Sequence, residues 1–320
     1  MGMMTLLVDR KGATLTLSSN QSMICLDYPD GQSYRVGIQS LKQIVIHGEI
    51  TLPAALLRQC SAAGVSILLL PGRGKGETLQ LLPHSPRNFS LRLAQYRAWF
   101  DPAIRLPLAR LFVAGKIQNQ QHFLNQHGLA VDFAPAIERA LSTVDIPTLM
   151  GIEGSTSRIY FGQWGSLWGS DWQFHGRNRR PPLDPVNALL SLSYTLAGHQ
   201  LEQMAQAQGL EPRLGFLHCP AANRPALALD LLEPVRPWID QWLWDQGQNL
   251  GLLQPRYFVL DGANGCRLEK TGRNLFYNAW FSEGEAWLRA PLRNSLAQLL
   301  NILRKHRRLP VEAAWPDVPE

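Results

Sequence analysis

Hydrophobic periodicity changes once along the 320 residues, near residue 86, and this switch constrains the fold more than any other feature. Upstream, short β-prone runs alternate with turn signals. TLLVDRKGATLTL carries two such runs around Lys11-Gly12, and SMICLDYPDGQSYRVGI repeats the pattern around Pro29-Asp30-Gly31. QIVIHGEITL reads as another strand pair. Pro53 to Ala63 lacks β-branched residues and suits a short helix, VSILLL a buried strand, and TLQLL its return partner. The glycine-rich turn around Lys75 is not a phosphate loop of the GxxxxGK[ST] type, because that spacing is absent and no helix pattern follows. Downstream, apolar residues recur at helical spacing, and the chain reads as predominantly helical to about residue 308. In LARLFVAGKIQNQQHFLNQHG, Leu108, Leu111, Phe112 and Ile117 line one face, while Arg110, Lys116 and Asn119 point elsewhere. The expectation is an α+β chain: a β-rich region over 1–85, a larger all-α region over 86–310 and a frayed tail over 311–320.

Composition narrows the function classes. Apolar residues make up 45% of the chain, enough for substantial cores, and charged residues only 18%, which argues against long disordered stretches. The net charge of +6 favours an anionic partner, although many ordinary enzymes are as basic. Cys25, Cys60, Cys219 and Cys266 contain no CxxC pair, which speaks against a disulfide framework and a zinc ribbon. No signal-peptide pattern opens the chain and no apolar run is long enough to span a bilayer, so a soluble, cytoplasmic protein without a membrane partner is expected.

Four segments of the helical half carry candidate chemistry. In GIEGSTSRIYF, residues 151–161, Glu153 lies between glycines ahead of Arg158 and Tyr160; alone it is equally a first-turn glutamate favoured by the helix dipole. In WQFHGRNRRPPLDPVNALLS, residues 172–191, Arg177, Arg179 and Arg180 precede Pro181-Pro182. They sit on an extended loop that is either a phosphate clamp or a solvated surface. Asp184-Pro185 then starts a helix as N-cap and first residue. LGFLHCP contributes His218, and RPALALDLLEPVRPWID contributes Arg224, Asp230 and Glu233. Asp230 and Glu233, spaced i,i+3, share a helix face, and two adjacent carboxylates repel unless a proton or cation separates them; a divalent metal is the economical cation. Pro234 cannot donate to the Asp230 carbonyl, so a kink is expected there. Spacing alone does not bring Glu153 to the other two segments. Trp164, Trp168 and Trp172 form a four-residue stripe, expected to be packing, with base stacking as the alternative.

GIEGSTSRIYF, FHGRNRRPPLDPVNALLSLSY, GLEPRLGFLH, RPALALDLLEPVRP and DGANGCRLEKTGRNLFYNAW occur in one order and at separations that resemble the universal CRISPR-associated spacer integrase, the larger of the two core adaptation proteins. The resemblance covers roughly residues 5–305. It implies an N-terminal β-rich dimerisation domain and a C-terminal helical catalytic domain that binds Mg²⁺ or Mn²⁺ through Glu153, His218 and Glu233, with Asp230 assisting. It further implies a homodimer, two copies of which are bridged by a separate small ferredoxin-like adaptation partner. The implied substrates are double-stranded DNA with 3′-hydroxyl ends and CRISPR repeat DNA, joined by transesterification. Arg158, Tyr160, Arg177, Arg179, Arg180 and Arg224 are the candidate DNA contacts. Two competing readings are a structure-selective repair nuclease with water as nucleophile and a non-catalytic DNA-binding scaffold.

Overall fold

A computed structural model describes residues 4–71, 77–81, 89–178, 181–221, 224–261 and 265–306. Strands dominate the first third and helices the rest, as the switch in periodicity requires. Strands β1 (Met4–Val8), β5 (Leu41–His47), β6 (Ser66–Leu70) and β7 (Leu79–Leu81) form one sheet in the order β1-β5-β6-β7. Strands β2 (Thr14–Leu17), β3 (Met23–Asp27) and β4 (Ser33–Gly37) form an antiparallel second sheet. Helix α1 (Ala54–Ala62) connects the parallel strands β5 and β6, and β7 returns antiparallel to β6.

Two turn expectations are corrected. Lys11-Gly12 does not close a hairpin: β1 pairs in parallel with β5, and the turn carries the chain across to the second sheet. Val8 and Leu15, on either side of it, are both fully buried in the cluster between the sheets, so the turn is a corner rather than a ribbon end. QIVIHGEITL supplies one strand, not two; beyond Gly48 only an isolated bridge joins Thr51 to Thr14. The Pro29-Asp30-Gly31 hairpin and the short helix form as expected. Lys75 and the 85/86 boundary lie outside the described residues.

Strand alternation ties the sheet to the helices. Successive side chains of a strand face opposite sides. On β5, Ile44 and Ile46 enter the core of the β-rich region while Val45 enters the helical core. On β6, Ile67 faces the first, and Leu68 and Leu70 the second. This explains why Ile44–Ile46 of β5 and Ile67–Leu70 of β6 are unbroken apolar runs instead of alternating. Polar contacts line the same seam: Gln203 donates to Ser66, and Lys42 pairs with Glu285.

The helical region comprises α2 (Phe89–Phe100), α3 (Pro102–Gln126), α4 (Ala134–Ser142), α5 (Ile146–Gly165), α6 (Pro185–Ala207), α7 (Ala226–Leu232) and α8 (Arg236–Trp244), then α9 (Lys270–Ala279) and α10 (Glu285–Lys305). Asp101, Asp145 and Asp184 cap α3, α5 and α6, each with a proline in the first turn. The antiparallel hairpin β8 (Phe258–Asp261) and β9 (Gly265–Leu268) interrupts a stretch expected to be helical. It has a positional role, because the Cys266 amide donates to the Pro182 carbonyl at 2.7 Å. A Cβ on Gly265, whose φ is +77°, would lie 2.4 Å from that carbonyl oxygen, so glycine is required for the hairpin to brace the Pro181-Pro182 loop. The tryptophan stripe is packing: Trp164, Trp168 and Trp172 are buried and meet edge to face.

Candidate active site

The centre of α3, the middle of α5, the 216–218 bend and the break between α7 and α8 meet at one cluster. Pro234 produces the break: α7 ends at Leu232, a 3₁₀ turn covers Glu233–Val235, and the chain re-enters a helix at Arg236. The Pro234 carbonyl accepts from the Asn119 side chain of α3 at 2.7 Å. Gly115 packs directly beneath the turn, where a Cβ would lie 3.2 Å from that of Pro234.

The kink separates two carboxylates that the i,i+3 spacing had placed together. Asp230 is fully buried and faces the bend. Its Oδ2 accepts from the amides of Phe216 and Leu217 at 2.5 and 2.9 Å. Its Oδ1 accepts from the amide of His218 at 3.0 Å and from His218 Nδ1 at 2.7 Å. Four donors occupy this carboxylate, so Asp230 positions the bend and the imidazole. With Nδ1–H donated to Asp230, the His218 Nε2 carries the lone pair. Gly215 makes this possible, since a Cβ there would lie 2.8 Å from Asp230 Oδ2.

Glu233 turns the other way. Its Oε2 lies 2.7 Å from Lys116 Nζ, and its Oε1 accepts from Arg236 Nε at 3.1 Å. The Lys116 contact is ionic without hydrogen-bond alignment, and Oε2 is a buried acceptor with no directed donor. Burial pushes the Glu233 carboxyl up, but Arg236, Lys116 and His218 outweigh it and hold it at about 2. Lys116 also pairs with Glu153 Oε1, which accepts from Ser157 Oγ at 2.9 Å. Glu153 lies well inside α5, which begins at Ile146, rather than in a first turn.

Glu153 and Glu233 therefore face one point, and the cation at that point is an ammonium. Helical periodicity turns Lys116 away from the packed face, but it is 4% exposed, while Leu111 is partly solvent-facing. A long α3 buried on most of its circumference gives no polar face to read from periodicity. His218 is near enough to Glu233 to lower its pKa, but among the described residues no three His, Cys, Asp or Glu side chains converge as a ready ion cage. The donor set still suits a divalent cation: two carboxylates, one with a buried oxygen lacking a directed donor, and an imidazole with a free Nε2.

Behind Glu233 lies a second buried acid. Asp240 accepts from the Tyr160 hydroxyl at 2.9 Å and from the Tyr194 hydroxyl. Burial raises the Asp240 carboxyl to about 6 against the opposing pull of the two hydroxyls, Arg236 and Arg177. Tyr160, expected as a DNA contact, is fully buried in this network, and its α5 face packs inward. Arg236 stacks over Tyr194 at 4.5 Å. Arg177 donates to Asn187 Oδ1 at 2.7 Å and to Ser191 Oγ at 3.3 Å, bracing its loop against α6. Arg158 and Arg224 are exposed, whereas Arg179 and Arg180 lie outside the described residues.

A β-rich region joined to a helical region whose centre gathers two acids, a lysine and an imidazole defines the fold and its candidate site. The family model described as CRISPR associated protein Cas1 matches residues 6–282. "CRISPR-associated endonuclease Cas1 3" of Thermus thermophilus is 33% identical over 287 residues, covering 88% of this chain and 84% of the relative. The chain belongs to the Cas1 family of CRISPR-associated proteins. Its fold is also that of a casposase bound to integration product, with a TM-score of 0.84, 22% identity and coverage of 95% and 91% of the two chains. A chain of a Cas6-RT-Cas1–Cas2 complex shares the fold as well, with a TM-score of 0.76 and 19% identity over 94% of this chain and 35% of that one. Among the described residues, no helix is long and apolar enough to cross a membrane.

Proposed function

We propose that the protein is a metal-dependent integrase of CRISPR adaptation that inserts short DNA fragments at a CRISPR repeat. The observation that carries this reading is the convergence of Glu153 and Glu233 on one cationic point beside an imidazole whose tautomer Asp230 sets. In the reaction, the 3′-hydroxyl oxygen of a fragment bonds to a repeat phosphorus, the P–O3′ bond of the repeat breaks, the hydroxyl proton is released and the departing 3′-oxygen takes one up. Mg²⁺ or Mn²⁺ held by Glu153, His218 and Glu233 would supply Lewis-acid stabilisation of the charge on that oxygen, with imidazole favouring Mn²⁺.

The chain's own groups prepare this step. Asp230 keeps the His218 Nε2 lone pair available, and Arg236 keeps Glu233 ionised. Arg158 and Arg224 are positioned at the surface to take phosphates, and we assign Arg179 and Arg180 the same task. Arg177 is itself held against α6 through Asn187. Replacing Arg158 and Arg224 together by Ala should reduce the slope of log affinity against log salt by about 2. An unchanged slope removes both from the interface. The proposal extends to a homodimer joined through the β-rich region and bridged by a small ferredoxin-like partner, acting in the cytoplasm; a Cas1–Cas2 complex among structures of this fold supports a second adaptation protein as partner.

The decisive measurement is strand transfer with 3′-hydroxyl and 3′-blocked fragments. Glu153→Ala and His218→Ala should each lower integration at least about 100-fold while leaving the circular dichroism spectrum unchanged. Integration retained by both variants refutes the site. Cleavage that proceeds equally with blocked ends makes the protein a nuclease instead.

A further inference from the structure

Lys116 belongs to no segment that the family resemblance rests on, yet it is the group on which both acids converge. Its side chain is 5% exposed, as is that of Glu233, and its ammonium is the charge between Glu153 and Glu233. The geometry holds it there: Gly115 seats α3 against the Pro234 turn, and Asn119 ties the next turn of α3 to the Pro234 carbonyl. Around Glu233 the formal charges cancel, with Glu153 and Glu233 balanced by Lys116 and Arg236. Asp230 is committed to the bend and to His218.

While the ammonium remains, a divalent ion entering between Glu153 and Glu233 meets two carboxylates whose charge Lys116 and Arg236 already balance. Lys116 and Arg236 already share Glu233, and a divalent ion brought beside them in this poorly hydrated site is repelled by both. Arg236 cannot relieve this, because it is stacked on Tyr194 and paired with Glu233 Oε1. Lys116 can, through the rotamers of its flexible stem.

We propose that Lys116 is a positioning residue that stands in for the divalent cation: it holds Glu153 and Glu233 together in the metal-free protein and gives up its place between them when the ion binds. This rests on the metal reading above. A lysine that only braced the site would make metal binding weaker when removed, because the carboxylates would lose their spacing. A stand-in cation has the opposite effect, since its removal leaves two acids uncompensated and open to the ion.

The test is calorimetric titration of Mn²⁺ into the full-length protein without DNA, comparing wild type with Lys116→Met and Lys116→Arg. Lys116→Met should bind Mn²⁺ about tenfold more tightly than wild type, and Lys116→Arg, which keeps the charge, should stay near wild type. Equal or weaker binding by a folded Lys116→Met overturns the proposal. If that variant does not fold, the wild-type protein decides the matter through amine labelling read by mass spectrometry. Labelling of Lys116 should rise at least severalfold when Mn²⁺ is added, and unchanged labelling at saturating Mn²⁺ overturns the assignment. Mn²⁺ binding by wild type without either response sinks the lysine's role alone. No Mn²⁺ binding by wild type sinks the metal reading and this inference with it.

Discussion

Glu233 and Asp240 lie on one bent stretch of helix, equally withdrawn from water, yet their carboxyls end on opposite sides of the ordinary range. Glu233 is held at about 2 and Asp240 is raised to about 6. Burial pushes both up. The difference lies in the neighbours: Glu233 touches an ammonium and a guanidinium, whereas Asp240 touches two neutral phenols and feels Arg236 and Arg177 from further away. Hydroxyl donors stabilise a carboxylate, but two of them do not replace bulk water as full positive charges do. The first environment therefore keeps Glu233 ionised, and the second anchors helices α5, α6 and α8 around a polar knot.

Three substitutions can break or sharpen this contrast. Glu233→Gln should have the largest effect. Its folded pKa lies below the ordinary 4.5, so its stabilisation is fully present above pH 4.5 and is lost as pH falls toward 2. Urea unfolding at pH 7 should show a loss of about 3 kcal/mol. A loss near zero would mean that Lys116 and Arg236 do not compensate the charge.

Asp240→Asn tests the opposite sign. A folded pKa raised from 3.8 to about 6 makes the ionised acid a cost, absent below pH 3.8 and complete above about 6. Relative to the variant, the wild type should lose up to about 3 kcal/mol of stability across that window. Parallel pH profiles for the two proteins would mean that folding does not shift the Asp240 carboxyl.

Tyr160→Phe is the mildest change. It removes one of the two hydroxyl donors to Asp240 and should cost about 1 kcal/mol of stability. DNA affinity should be unchanged because the ring is fully buried. A drop in affinity without a drop in stability would return Tyr160 to the DNA interface.

Much of this architecture is legible in the chain. Periodicity marks the change from strands to helices, and Asp184-Pro185 marks a helix start because cap chemistry is local. The Pro234 break is legible for the same reason: a missing amide acts within one turn. The candidate ligands Glu153, His218 and Glu233 were reachable through the resemblance, while the residues alone offered only acids and an imidazole in distant segments. The β1 to β2 connection was misread because Lys11-Gly12 looks the same whether it closes a hairpin or turns a corner between sheets, and only the pairing of β1 with β5 tells them apart.

Local chemistry in the chain is thus enough for the fold class, the Asp184 cap and the Pro234 kink. Which group faces which was settled by packing. Asp230 and Glu233 share a face in an ideal helix, and a 3₁₀ turn sends one to a backbone bend and the other to Lys116. Lys116 itself looks like a solvated lysine in sequence and is buried in space, because α3 is surrounded on most sides and a charge in its middle has to find its partners across helices. Charge pairing over such separations depends on distance in three dimensions, which neither spacing nor composition encodes.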